Sequence, residues 1–197
     1  MSKSLHIVAR HANALEDVER FGKNDPYARF LLDLQDAKNS KQTSVKKNAG
    51  KNVEWEEVVV LDNYDASRHQ KLFVEVLDSE TLGDEPIGFT GISLYQVNDA
   101  PGKSFKGKFD LYDDDGKAKG TISLTITVVD SDRSGAHITN DNPEAKGEAS
   151  LTDEHQKRFK SIKRKEQLGD LAAAAAVLGG AAAAKAALGG GDKAPTA

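Results

Sequence analysis

The sequence predicts an all-β protein: an eight-stranded antiparallel β-sandwich, followed by a linker and a C-terminal helix. Up to about residue 130, apolar side chains recur at every second position, which is the period of a strand with one buried face. Turn-forming residues separate these runs, and no long helical pattern lies between them. Short strands at this spacing are typical of a sandwich. The candidate strands cover roughly 5–11, 27–34, 42–47, 54–61, 71–77, 86–97, 107–112 and 118–129.

The fifth strand illustrates the pattern, because Leu72, Val74 and Val76 fall on one face and alternate with the residues between them. Residues 113–116, three aspartates and a glycine, separate the last two strands. They lack the ligand spacing of a calcium loop, so we interpret them as a hairpin turn.

The C-terminal part has a different composition. Residues 131–149 are polar with glycine and proline, which predicts a flexible linker. A basic and then alanine-rich helix is predicted over 150–178, beginning near Thr152 with two carboxylates in its first turn. The glycine pair that follows should end it, and we expect 179–197 to be frayed or disordered.

Composition excludes several classes of function. The chain of 197 residues has no cysteine, which rules out disulfides, thiolate zinc sites and cysteine nucleophiles. A reducing, cytoplasmic location fits this, as does a start without the apolar core of a secretory signal. The sandwich region is net acidic, so nucleic acid is not an expected partner. No phosphate-binding loop or nucleophile motif is present, and we therefore predict that the protein is not an enzyme.

A series of motifs in a fixed order carries a family resemblance. Gly22 to Tyr27 reads Gly-Lys-Asn-Asp-Pro-Tyr, and a tryptophan followed by an acidic residue stands at 55–56. Further motifs are Val-Leu-Asp-Ser-Glu at 76–80, Ile-Gly at 87–88 and a final strand at 120–126. In order and spacing these resemble the calcium- and lipid-binding C2 domain over about two thirds of the chain. The resemblance implies the permuted type II topology, and the whole is similar to small intracellular single-domain members.

The resemblance also implies calcium as the cofactor. Calcium prefers six to eight oxygen ligands, mostly carboxylates and carbonyls. Carried over to this sequence, the ligands come from the first and third loops: Glu19, Asp25, Asp78, Glu80, and Asp84 or Glu85. The family usually has aspartate at all five positions, and the longer glutamates here depart from that pattern. The alternative is that these are ordinary exposed loop acids that point apart.

Two further groups of residues concern lipid. Phe21 and Leu82 fall at the tips of the first and third loops, where exposed apolar side chains would enter a lipid interface. Arg29, Lys46 and Lys47 occupy or adjoin the basic positions of the family's phosphoinositide face. The alternatives are that Phe21 folds back onto the sandwich and that the lysines belong to a solvated edge strand.

These expectations together describe a peripheral, membrane-targeting module that binds anionic phospholipid, with calcium bound through its acidic loops. The alternative is a calcium-independent protein-interaction scaffold that uses the sandwich and the basic C-terminal helix. Residues 157–165 hold six basic side chains, which suits an anionic membrane, a protein partner or a solvated helix face. Residues 171–188 are rejected as a transmembrane span because they are mostly alanine and contain a glycine pair and a lysine.

Overall fold

The computed structural model describes residues 2–19, 22–81, 83–130 and 142–163. The strands are β1 (Lys3–Asn13), β2 (Pro26–Leu31), β3 (Lys41–Gln42), β4 (Val53–Tyr64), β5 (Lys71–Asp78), β6 (Glu85–Ser93), β7 (Ser104–Tyr112), β8 (Ala118–Asp130), β9 (Ala145–Lys146) and β10 (Ala149–Ser150). The helices are α1 (Tyr95–Asn98) and α2, which runs over 153–163. Single 3-10 turns lie at Ala37–Asn39 and Pro101–Lys103.

The eight main strands form an antiparallel sandwich, as predicted. Hydrogen bonding places them in the order β3-β2-β5-β6-β7-β8-β1-β4. Among the described residues, β6 and β7 pair only where Phe89 lies opposite Tyr112, so the sheet divides there into two four-stranded halves. One buried core joins the two halves, with Phe30 and Leu72 from the first and Ile7 and Leu124 from the second.

Two predicted strands end earlier than expected. The prediction of a strand over 86–97 is wrong at its end, because β6 stops at Ser93 and α1 follows. Leu94 is fully buried and its N–H donates to the carbonyl of Gln70, which turns the chain into α1. The predicted strand over 42–47 is regular only in β3; after it, the chain stays beside β2 through hydrogen bonds to side chains and isolated carbonyls.

The predicted linker differs from the structure over its last part. Strand β10 pairs antiparallel with β6, and β9 pairs in parallel with β7, so they fill the gap between the two halves. The N–H of Gly147 donates to the carbonyl of Lys108 at 2.9 Å. The segment over 142–150 is therefore part of the sheet. The rest of the predicted linker, 131–141, lies outside the described residues.

Helix α2 begins where the sequence predicts. The N–H of His155 donates to Oγ1 of Thr152 at 3.2 Å, which is the hydrogen bond of an N-terminal helix cap. The helix continues to residue 163, the last that the structure describes. The remainder of the predicted helix to 178, and the predicted tail over 179–197, lie outside the described residues.

Candidate metal and membrane site

Three loops meet at one end of the sandwich. Loop 1 joins β1 to β2, loop 2 joins β3 to β4, and loop 3 joins β5 to β6. Pairing of Pro26 with Asp78, and of Asp78 with Glu85, sets the ends of β2, β5 and β6 side by side. Loop 2 joins them because the N–H of Gly50 donates to the carbonyl of Asn24. Residues far apart in sequence therefore share this end of the fold.

A buried asparagine shapes loop 1. Asn24 is completely buried; its side-chain amide donates to the carbonyl of Glu16 at 2.7 Å and accepts the N–H of Val18 at 3.1 Å. These two bonds fold the loop back on itself and direct Glu19 toward loop 3. Gly22 follows with a φ of 125°, a conformation that favours glycine.

Three of the five predicted metal ligands converge. Glu19, Asp78 and Glu80 each offer a carboxylate oxygen, and these oxygens lie within 4.8 Å of one another. The extra methylene of the two glutamates does not prevent them from reaching the aspartate. Oδ1 of Asp78 accepts the N–H of Asp25 at 2.5 Å, whereas its buried Oδ2 has no hydrogen-bond partner among the described residues.

The electrostatics of this acidic cluster favour neutralisation. Burial raises the pKa of Asp78, and the negative charges of Glu19 and Asp25 raise it further. The close approach of Glu19 raises the pKa of Glu80, with burial as the next cause. Like charges at this distance repel by about 1 to 4 kcal/mol, depending on the local dielectric. A proton or a cation would relieve that repulsion.

The other two predicted ligands are held in separate hydrogen bonds. The carboxylate of Asp25 accepts from Nζ of Lys47 and from the N–H of Asn48, each at 2.6 Å. Partial burial opposes ionisation of Asp25, but these two hydrogen bonds outweigh it and lower its pKa. Asp84 accepts the hydroxyl of Tyr27 at 2.6 Å, and burial together with this bond raises the pKa of Tyr27.

The predicted basic residues are all in ion pairs. Nζ of Lys46 lies 3.0 Å from Glu57, and Lys47 pairs with Asp25 as described. Arg29 binds Glu75 on the neighbouring strand at 2.7 Å. The predicted lipid-inserting residues, Phe21 and Leu82, lie outside the described residues and remain predictions.

Glu75 is the most important residue that the sequence analysis did not single out. It is fully buried and accepts hydrogen bonds from Arg29 and from Arg158 of α2, both at 2.8 Å. Nε2 of His155 lies 3.5 Å away. Burial disfavours the charge, yet this cationic surrounding lowers the pKa of Glu75 to about 2. A signal was present in the sequence, because Glu75 is the one charged residue within the apolar run from 72 to 77.

Helix α2 therefore packs on the sandwich instead of standing in solvent. Phe159 is 1% exposed and belongs to a cluster with Tyr27, Leu77 and Phe89. Within the described ranges, no helix is long and apolar enough to cross a membrane.

Comparison with known proteins identifies the family. The family model of the C2 domain matches residues 3–111, more than half of the chain. A comparison with curated proteins found no match.

Solved structures resemble the chain at low sequence identity. The first, "A" C2 domain of a plant extended synaptotagmin 1 has a TM-score of 0.53 at 23% identity, covering 64% of this chain and 92% of that one. A structure of extended synaptotagmin 2 with its SMP domain and two C2 domains gives 0.53 at 18%, covering 64% and 27%. The calcium-bound pair of C2 domains of extended synaptotagmin 2 gives 0.50 at 23%, covering 64% and 45%. The chain thus spans less than half of these two multidomain structures, and the likeness concerns the fold. Together with the family match, it shows that the chain belongs to the C2 domain family.

Proposed function

We propose that this C2 domain is a non-enzymatic module that binds anionic phospholipid membranes peripherally, and that calcium held by Glu19, Asp78 and Glu80 drives the binding. The observation that carries the proposal is the buried Oδ2 of Asp78, which has no hydrogen-bond partner among the described residues and lies beside two further carboxylates. Leaving a buried acceptor unsatisfied costs free energy, which a bound cation would recover.

The donor set fits calcium in kind and in number. Calcium takes about six to eight oxygens in a loosely specified geometry, so three carboxylates would leave coordination positions for lipid phosphate oxygens. Asp25 is next to this cluster through its N–H bond to Asp78, but its carboxylate is paired with Lys47. Lys47 therefore competes with a metal ion for Asp25. The calcium-bound state of a structure with the same fold is consistent with this assignment.

Residues beside the cluster would contact the lipid. Phe21 follows Glu19 by two positions, and Leu82 follows Glu80 by two, so each apolar residue adjoins a proposed ligand in sequence. Their insertion would add apolar burial to the electrostatic attraction between bound calcium and anionic headgroups. In the structure Lys46 and Arg29 are neutralised by carboxylates, which makes the loops the stronger lipid site.

The test is sedimentation of the full chain with vesicles of phosphatidylserine and phosphatidylcholine, in calcium and in chelator. We expect the protein to pellet with vesicles in calcium and to stay in the supernatant in chelator. Vesicles of phosphatidylcholine alone are the matched control and should not bind. Equal binding in calcium and chelator would remove the calcium step, and absence of binding in both would overturn the lipid function.

A calcium-independent interaction scaffold is the second candidate, favoured by the ion pairs that neutralise the basic face. It predicts that the chain ignores vesicles and instead captures one stoichiometric protein. Loss of that partner in an Arg158→Glu variant, with retention in Lys157→Glu, would locate the contact at the docked side of α2. Lys157 is a suitable control because it lies on the same helix and is exposed.

A further inference from the structure

Helix α2 rests on the face of β2, β5 and β6 that is turned away from the main core. His155 and Phe159 are its buried side chains, at 0% and 1% exposure. The ring of Phe159 lies 4.5 Å from that of Phe89, and the ring of His155 meets Phe73 and Phe89 edge-on. Ile162 packs against the same cluster. Positions 155, 159 and 162 form one stripe along the helix.

Polar contacts flank this stripe on both sides. Arg158 binds Glu75, and Nζ of Lys163 lies 3.1 Å from Asp114 in the turn between β7 and β8. At the start of the helix, Nε2 of Gln35 donates to Glu154 at 2.5 Å. Two of the helix's basic side chains are thus bound to the sandwich, and the docking combines a small apolar contact with two ion pairs.

The same helix has the composition of an interfacial helix. It carries an apolar stripe, and its other side chains include Lys157, Arg158, Lys160 and Lys163. A helix of this kind lies in the plane of an anionic bilayer, with its apolar stripe among the acyl chains and its basic residues at the headgroups. In the docked state this is impossible, because Phe159 is buried against Phe89 and Arg158 is bound to Glu75. The stripe can contact the sandwich or lipid, but not both at once.

We propose that α2 is a second, displaceable membrane-binding element, which leaves the β2-β5-β6 face and transfers to the anionic lipid interface when the loops bring the domain to a membrane. The inference rests on the proposed lipid binding and adds a second contact to it. In solution the docked helix keeps Phe159 and Ile162 out of water. At a membrane the released helix adds its four basic residues to the bound surface, and Glu75 keeps Arg29 as its partner.

The absence of cysteine allows a direct test. In the double variant Gln35→Cys/Glu154→Cys, a dimaleimide with a disulfide in its spacer will fasten α2 to the sandwich, and a reductant will free it again. Both native side chains are exposed and in contact, so the cross-link preserves the docked arrangement. The matched control is Lys108→Cys/Glu144→Cys, whose native side chains lie 3.7 Å apart and whose cross-link leaves α2 free. Binding to phosphatidylserine vesicles is measured in calcium before and after reduction.

We expect the locked protein to bind vesicles about tenfold more weakly than the same protein after reduction, because the basic residues of α2 cannot reach the headgroups. The control pair should bind equally in both states. Equal binding by locked and reduced protein, with calcium dependence intact, would overturn the displaceable helix and leave the loop function standing. If neither form nor the wild type binds, both proposals are wrong.

Discussion

The buried carboxylate of Glu75 makes the sharpest prediction about stability. It accepts hydrogen bonds from Arg29 and Arg158 and is closed off from solvent by α2. The substitution Glu75→Gln keeps the size of the side chain but removes its charge. It leaves two guanidinium groups facing a neutral amide, which should weaken both the β2-β5 pairing and the docking of α2.

The magnitude follows from the pKa. Its lowering from the ordinary value of 4.5 to about 2 corresponds to about 3 kcal/mol of stability, since one pKa unit is worth about 1.4 kcal/mol. Because the folded protein holds the carboxylate in its charged form more strongly than the unfolded chain does, this stability is complete above pH 4.5. It is lost as the pH falls from 4.5 toward 2. Glu75→Gln should therefore cost about 3 kcal/mol at pH 7.

Urea unfolding at pH 7 and at pH 3 measures both the size and the pH dependence. The difference in unfolding free energy between wild type and Glu75→Gln should be large at pH 7 and clearly smaller at pH 3. Glu54→Gln is the matched control, because Glu54 is exposed on β4, and it should change stability little at either pH. If Glu75→Gln costs no more than Glu54→Gln at pH 7, or the same amount at both pH values, the assignment of Glu75 is wrong.

Three further substitutions test other parts of the fold and site. Lys47→Gln should tighten calcium binding in a calorimetric titration, because it releases the carboxylate of Asp25; unchanged affinity would exclude Asp25 from the site. Burial lowers the pKa of His155, so wild-type stability should fall as the pH drops below 6.5, and His155→Phe should remove that part of the pH dependence in urea unfolding at pH 7.5 and 5.5. A Cβ at Gly147 would overlap the ring of Phe109, so Gly147→Ala should cost about 1 to 3 kcal/mol in urea unfolding, whereas a free linker would tolerate it.

The strands were predictable because each has one buried face, and alternation alone reveals that. Leu72, Val74 and Val76 are all buried, as their spacing requires. The end of β6 could not be read in the same way, since Leu94 is as apolar as a strand residue but turns into α1 through the carbonyl of Gln70. Local patterns do not encode a hydrogen bond between distant segments.

The docked segment after β8 was missed for a similar reason. The residues of β9 and β10 are small or polar and carry no apolar period. They are ordered by the gap between β6 and β7, which exists only in the assembled sandwich. The position of α2 likewise depends on Glu75, whose burial results from the tertiary packing of Phe159 and His155 beside it.

The acidic loops were located from sequence, but the roles within them were not. The order of motifs brought Glu19, Asp78 and Glu80 to one end of the fold, and the structure places their carboxylates together. It could not reveal that Lys47 takes the carboxylate of Asp25, because the two belong to different loops. Side-chain partners across loops depend on backbone geometry that a single sequence does not specify.

The most direct test of calcium-driven membrane binding is a calcium titration of vesicle sedimentation with wild type and Asp78→Asn side by side. The amide oxygen of the substituted side chain would still accept the N–H of Asp25 but would offer calcium no charge, so the fold should persist while the metal site is lost. Asp62→Asn, an exposed position on β4, is the control. We predict calcium-dependent binding to phosphatidylserine vesicles by the wild type and by Asp62→Asn, and none by Asp78→Asn. Equal calcium-dependent binding by all three proteins would contradict the assignment of the site.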